Sequence, residues 1–212
     1  MNKVRVKICG ITREEDLAVV FNAGAEAVGF VVGVPSSPRN ISLEKAEKLV
    51  RLVPVFAKSV LVTVPTNMDA LLEQCERLSP DILQIHGENI SDASRLREKL
   101  PHTPLIKAVN SVQIALQASK SFDAILFDSF VDGKYGGTGI VHDWKLSKRA
   151  KQVIHPKPLI LAGGLDPKNV KGAVSIVKPY AVDVSSGVEA QPGIKDRKKV
   201  MEFIRNAKET KI

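Results

Sequence analysis

Short β-branched runs alternate with longer amphipathic stretches along this chain, and the unit of one run and one stretch repeats eight times. The runs at residues 4–9, 27–32, 57–64, 82–86, 104–109, 124–128, 158–162 and 180–185 read as strands. The stretches at about 13–23, 43–52, 68–78, 91–100, 112–119, 144–152, 167–177 and 196–208 read as helices. Thr12 is placed to cap the first helix, with Glu15 at capping-box spacing, and Ser42 to cap the second. In the third helix Leu71, Leu72, Cys75 and Leu78 share one face.

Such alternation predicts an α/β fold, a parallel sheet with helical crossovers. An open doubly wound sheet satisfies the same pattern. Eight units in 212 residues favour closure into an eight-stranded (β/α)8 TIM barrel, with residues 1–212 forming a single domain.

Composition narrows the function classes. Two cysteines without a CxxC pair do not make a disulfide framework. His86, His102, His142 and His155 are scattered, so no metal and no structural zinc is expected. The start of the chain does not read as a signal peptide, and no apolar run approaches the roughly 20 residues that span a bilayer. A cytoplasmic protein without a membrane partner is expected. The net charge of +8 admits a nucleic-acid partner. Its densest basic group (Lys195, Arg197, Lys198, Lys199) has no interleaved aromatics, so no nucleic acid is expected. A positive field also suits a small anionic substrate. The oligomeric state is not legible, because exposed helix faces cannot be mapped from one sequence.

In closed barrels the active site lies at the C-terminal ends of the strands. The polar residues there are Cys9, Arg39, His86, Asp128, Gly163, Gly164, Ser185, Ser186 and Gly187. Side chains alternate along a strand. If Val4, Val6 and Ile8 face the helices, Lys7 and Cys9 point into the barrel. By the same alternation Asp128, Gln84 and Asp183 point inward. Cys9 and Asp128 then flank the mouth as a candidate base and acid. A free cysteine is ordinarily a small core hydrophobe, and Cys75, on an apolar helix face, reads that way. Cys9, at a strand end just before Gly10, reads as functional, with Lys7 as a nearby positive charge. Asp128 is either a cap for the next loop or an acid whose pKa burial raises. An internal Lys7 needs a partner, and Asp183 is the candidate.

Two glycine-bearing turns, AGGL at 162–165 and SSG at 185–187, follow the last two strands. They are tight turns or a phosphate cradle, the usual role of these loops in barrels. Arg39, in the loop after the second strand, suits capture of a carboxylate. The glycine-rich segment 132–139 reads as a loop that closes over the site.

Several segments resemble, in order, those of the phosphoribosylanthranilate isomerase family: KICGIT at 7–12, GFVV and SPRNIS at 29–32 and 37–42, LQIHG at 83–87, FDS with YGGTG, LAGGLDPKNV at 161–170 and DVSSGVEAQPGIKD at 183–196. The resemblance covers nearly the whole chain. It implies an Amadori rearrangement of N-(5-phosphoribosyl)anthranilate, a phosphorylated aminosugar, to a 1-deoxyribulose 5-phosphate. It further implies Cys9 as general base, Asp128 as general acid and Arg39 on the anthranilate carboxylate. Gly164 and the Ser186–Gly187 turn would cradle the phosphate, and His86 would line the sugar site. No cofactor is implied, because the substrate's own nitrogen is the electron sink. One segment departs: the third strand ends LVTVPTN, where the family more usually has an aromatic. Two other readings share the phosphate loops. One is an indole-3-glycerol-phosphate synthase-like barrel, whose lysine acid and glutamate base do not match Cys9 and Asp128. The other is a non-catalytic phosphate-binding barrel.

Overall fold

The computed structural model describes residues 3–128 and 144–210. Eight strands form one parallel sheet: β1 (Arg5–Cys9), β2 (Ala27–Val32), β3 (Lys58–Thr63), β4 (Ile82–Ile85), β5 (Leu105–Val109), β6 (Ala124–Phe127), β7 (Leu159–Leu161) and β8 (Ala181–Val184). Each strand pairs with the next, and β8 returns to β1 through Arg5↔Ala181 and Lys7↔Asp183. The sheet is therefore closed, and the open alternative is excluded. Among the described residues eight α-helices follow in turn: α1 (Glu14–Asn22), α2 (Leu43–Val50), α3 (Met68–Leu78), α4 (Ser94–Lys99), α5 (Val112–Ala118), α6 (Trp144–Ile154), α7 (Val170–Val177) and α8 (Arg197–Glu209).

Alternation along the strands builds two cores. Val4, just before β1, and Val6 and Ile8 of β1 join the shell between barrel and helices, with Leu71, Cys75 and Leu78 of α3 and Val200, Phe203 and Ile204 of α8. Inside the barrel, Ile106, Ala124, Leu126, Ile160 and Ala181 make an apolar wall across β5–β8. Cys9, Val31, Val60 and Val62 make a second across β1–β3. The polar side chains Lys7, Gln84 and Asp183 are buried as well.

Local chemistry corrects several boundaries. Thr12 does not cap α1: Arg13 holds the N-cap position without a side-chain cap bond, and the Thr12 hydroxyl donates to the Gly193 carbonyl at 2.5 Å. The expected cap on α2 is present, with Ser42 Oγ accepting from Lys45 N. Helix α4 begins three residues later than expected, because Asp92 Oδ1 accepts from Ser94 N and holds the chain in a turn. Helix α7 is delayed likewise by Asp166, which accepts from the amides of Lys168 and Asn169. Two features had no periodic signal: Asn40–Ile41, which pairs beside β2, and a hairpin of Glu189–Gln191 with Ile194–Lys195. The segment 132–139 and His142 lie outside the described residues.

Candidate active site

The last inward positions of β1 and β8 define the centre of the mouth. Register sets Lys7 beside Asp183, and Lys7 Nζ donates to Asp183 Oδ1 at 2.8 Å. Both are buried, and the expected pairing is present. Burial opposes the Lys7 charge, yet Asp183 and then Cys9 hold the ammonium above its ordinary range. Cys9 stands one layer higher, opposite Gly29 of β2. A side chain on Gly29 would put its Cβ 2.8 Å from Cys9 Sγ and 3.1 Å from Lys7 Nζ. Only glycine leaves room for thiol and ammonium together. Burial pushes the thiol above its usual range, and Asp183 adds to the rise; Lys7 and Lys195 pull the other way without reversing it.

Asp128, just past β6, shares this electrostatic centre. Burial first, then Asp183, raises its carboxyl to about 6, with Lys7 opposing. Cys9 and Asp128 therefore both interact with the Lys7–Asp183 pair, one as a reluctant thiolate and the other as a carboxyl that titrates at about 6. Cys75 behaves as core: burial alone takes it to about 11.

His86 follows β4 on the inward side. Its Nε2 lies 2.8 Å from Gln84 Nε2. Burial, with Lys7 and Lys107, depresses it to about 4, so the imidazole is neutral and accepts from the Gln84 amide. Gln84 Oε1 is buried and has no partner among the described residues. Lys107 was not foreseen. Its ammonium donates to the carbonyls of Gly87 and Ile90 and pins the loop after β4.

Arg39 crosses the end of β1. The space a Cβ on Gly10 would fill is taken by Arg39 Cγ, 2.7 Å away, and Ser185 Oγ, 3.0 Å away. Arg39 Nε donates to Glu189 Oε1 at 3.1 Å and Nη2 to Glu189 Oε2. Glu189 also accepts from Lys195 Nζ at 2.9 Å, which in turn donates to the Ser185 carbonyl at 3.2 Å. Glu189 and Lys195 escaped the sequence reading as site residues, although Pro192–Gly193 between them is a turn signal.

Gly163 and Gly164 both adopt positive φ, 86° and 61°, a backbone that glycine tolerates. Asn169 Nδ2 fixes the turn on the Gly164 carbonyl. Ser185 precedes a short 3-10 turn, Ser186–Val188. A Cβ on Gly187 would fall 1.9 Å from the Leu165 carbonyl oxygen. The two loops are thus in direct backbone contact, as a shared anion cradle requires.

Among the described residues no group of three or more acidic, His or Cys side chains could hold a metal ion. No described helix is long and apolar enough to cross a membrane. A closed barrel with this mouth belongs to the class of (β/α)8 enzymes that move protons on a small anionic substrate. The chain belongs to the N-(5'phosphoribosyl)anthranilate (PRA) isomerase family, whose model matches residues 6–206. It is 42% identical to N-(5'-phosphoribosyl)anthranilate isomerase of Methanothrix thermoacetophila, over 96% of this chain and 98% of the relative. The crystal structure of phosphoribosyl anthranilate isomerase from Thermotoga maritima superposes with a TM-score of 0.85 at 39% identity, covering 97% of this chain and 99% of the other. A second structure of such an isomerase, in complex with reduced 1-(o-carboxyphenylamino)-1-deoxyribulose 5-phosphate, gives 0.81 at 37% identity with the same coverage.

Proposed function

We propose that this chain, acting as a single domain, isomerises N-(5-phosphoribosyl)anthranilate to 1-(2-carboxyphenylamino)-1-deoxyribulose 5-phosphate, with Cys9 as general base and Asp128 as general acid. The observation that carries the assignment is the common Lys7–Asp183 centre faced by both groups. Asp128 gives its proton to the ring oxygen as the bond from that oxygen to C1 breaks. The anthranilate nitrogen supplies the electron pair, and a protonated Schiff base forms. Cys9 thiolate then removes the proton from C2, and the electrons flow to nitrogen. The resulting enolamine gains a proton at C1 and loses one from the C2 hydroxyl. No net proton or electron is consumed, so no cofactor is needed.

Arg39 holds the anthranilate carboxylate, His86 lines the sugar as a neutral acceptor, and the turns at Gly163–Gly164 and Ser185–Gly187 bind the phosphate. A small phosphorylated substrate of this kind fits a cytoplasmic enzyme with neither nucleic acid nor membrane as partner. Cys9→Ala and Asp128→Asn should each lower turnover by about 10²- to 10⁴-fold while the reduced product analogue still binds. Loss of substrate fluorescence measures the rate, and near-normal turnover in either variant overturns that residue's role.

A further inference from the structure

Arg39 is a long side chain at an open mouth, yet it is held still. Its stem crosses Gly10, and one edge of its guanidinium, Nε and Nη2, is occupied by Glu189. Of the five guanidinium N–H groups, that pairing uses two, and none on Nη1 has a partner among the described residues. Glu189 is itself fixed by two lysines, one of which is anchored in turn. Lys195 Nζ holds its carboxylate, Lys199 Nζ holds its carbonyl at 2.8 Å, and the backbone of Lys195 is tied to Asp16. The side chains of Glu189 and Lys195 are 4% and 0% exposed. Although burial opposes ionisation of Glu189, Arg39 and Lys195 keep its carboxyl below the usual range.

We propose that Glu189 is a positioning residue that presents the free edge of Arg39 to the carboxylate of the substrate, and so sets the enzyme's preference for a carboxylated arylamine. The inference rests on the assignment of Arg39 above. Its basis is charge and entropy. Arg39, Glu189 and Lys195 carry two positive charges and one negative, which leaves a single net positive charge to meet one incoming carboxylate. A guanidinium already locked in place loses little side-chain freedom on binding. The hairpin of Glu189–Gln191 and Ile194–Lys195 is the strut that supplies the lock.

The test compares two ligands by calorimetry on the full chain: the reduced product analogue and its phenylamino counterpart, which lacks the carboxylate. Glu189→Gln should weaken the carboxylated ligand by about 10-fold or more, as loss of a charged contact implies, and the counterpart by less than about 2-fold. KM should rise with most of kcat retained. In an Arg39→Ala background the same change should add nothing. Equal weakening of both ligands, or an undiminished effect without Arg39, overturns the inference. If Arg39→Ala alone fails to distinguish the ligands, the assignment of Arg39 falls and this inference with it. If Glu189→Gln misfolds around an unpaired Lys195, the Glu189→Gln/Lys195→Met variant removes both charges and is read against the same two ligands, with the same outcomes deciding.

Discussion

The thiolate signal of Cys9, followed by ultraviolet difference spectroscopy against Cys9→Ser as pH rises, should appear only above the ordinary thiol value of 9.0. Asp128 should titrate much earlier, at about 6. The order is the reverse of what an acid–base pair needs, since the proposed mechanism requires protonated Asp128 beside ionised Cys9. With Asp128 titrating below Cys9, the productive form is the minor one throughout the interval between them. The sign of the profile follows. Below pH 6 both groups are protonated, and thiolate is lost tenfold per unit of falling pH. Between the two values Asp128 loses its proton as fast as Cys9 does, so the productive fraction is level. Above the thiol value no further thiolate is gained, and protonated Asp128 continues to vanish. The ratio kcat/KM should therefore stay flat from about pH 6 to beyond 9. The substrate phosphate also titrates near 6, so the alkaline side decides. A fall in kcat/KM beginning near pH 6–7, or a Cys9 thiolate present by neutrality, would refute the ordering.

Gly29→Ala places a Cβ 2.8 Å from Cys9 Sγ, so the thiol must move; turnover should fall at least about tenfold while the melting transition remains cooperative. Gly187→Ala drives a Cβ to 1.9 Å from the Leu165 carbonyl and parts the two loops. Inhibition by inorganic phosphate should weaken and stability fall by about 1–3 kcal/mol, read by titration and urea unfolding. His86, held at about 4 against an ordinary 6.5, binds fewer protons folded than unfolded between those values. Stability is thus lost as pH drops through that window, and His86→Gln should show a smaller fall in Tm between pH 7 and 5 than the parent.

The sequence exposes whatever repeats with a fixed period. The strand set, the closure implied by eight units, and the inward placement of Lys7 and Cys9 all follow from alternation, and strands β1–β8 bear them out. Pairing of Lys7 with Asp183 was legible too, because a buried ammonium demands a counter-charge. What stayed hidden has no period. Glu189 sits in a three-residue strand, and its partner Arg39 lies 150 positions away. The amide of Lys195 reaches Asp16 across 179 positions. Lys107 belongs to the outward set of β5, where a charge looks like a solvated surface, yet its ammonium turns up to the loop after β4. Caps failed where a competing bond existed, as when Thr12 turned to Gly193 instead of to its own helix.

Two buried ammonium groups approach Cys9, and each is already matched by a carboxylate: Lys7 by Asp183 and Lys195 by Glu189. That pairing weakens the pull of either lysine on the thiolate, so desolvation wins and the thiol stays protonated. The matching is also what permits two buried lysines, Lys7 inside the barrel and Lys195 in the hairpin beside its mouth, since an unpaired one would give up its proton or its fold. The reversed order of titration leaves the productive pair a minor form, at a cost in free energy. Holding base and acid around one substrate contributes about 7–11 kcal/mol through effective concentration, which works against that cost. The proposed reaction therefore works from a minor thiolate population rather than a resident one. It requires that thiol, carboxyl and sugar be fixed in one geometry, and the small side chains of the mouth, Gly10 under Arg39 and Gly29 under Cys9, are where the fold enforces it.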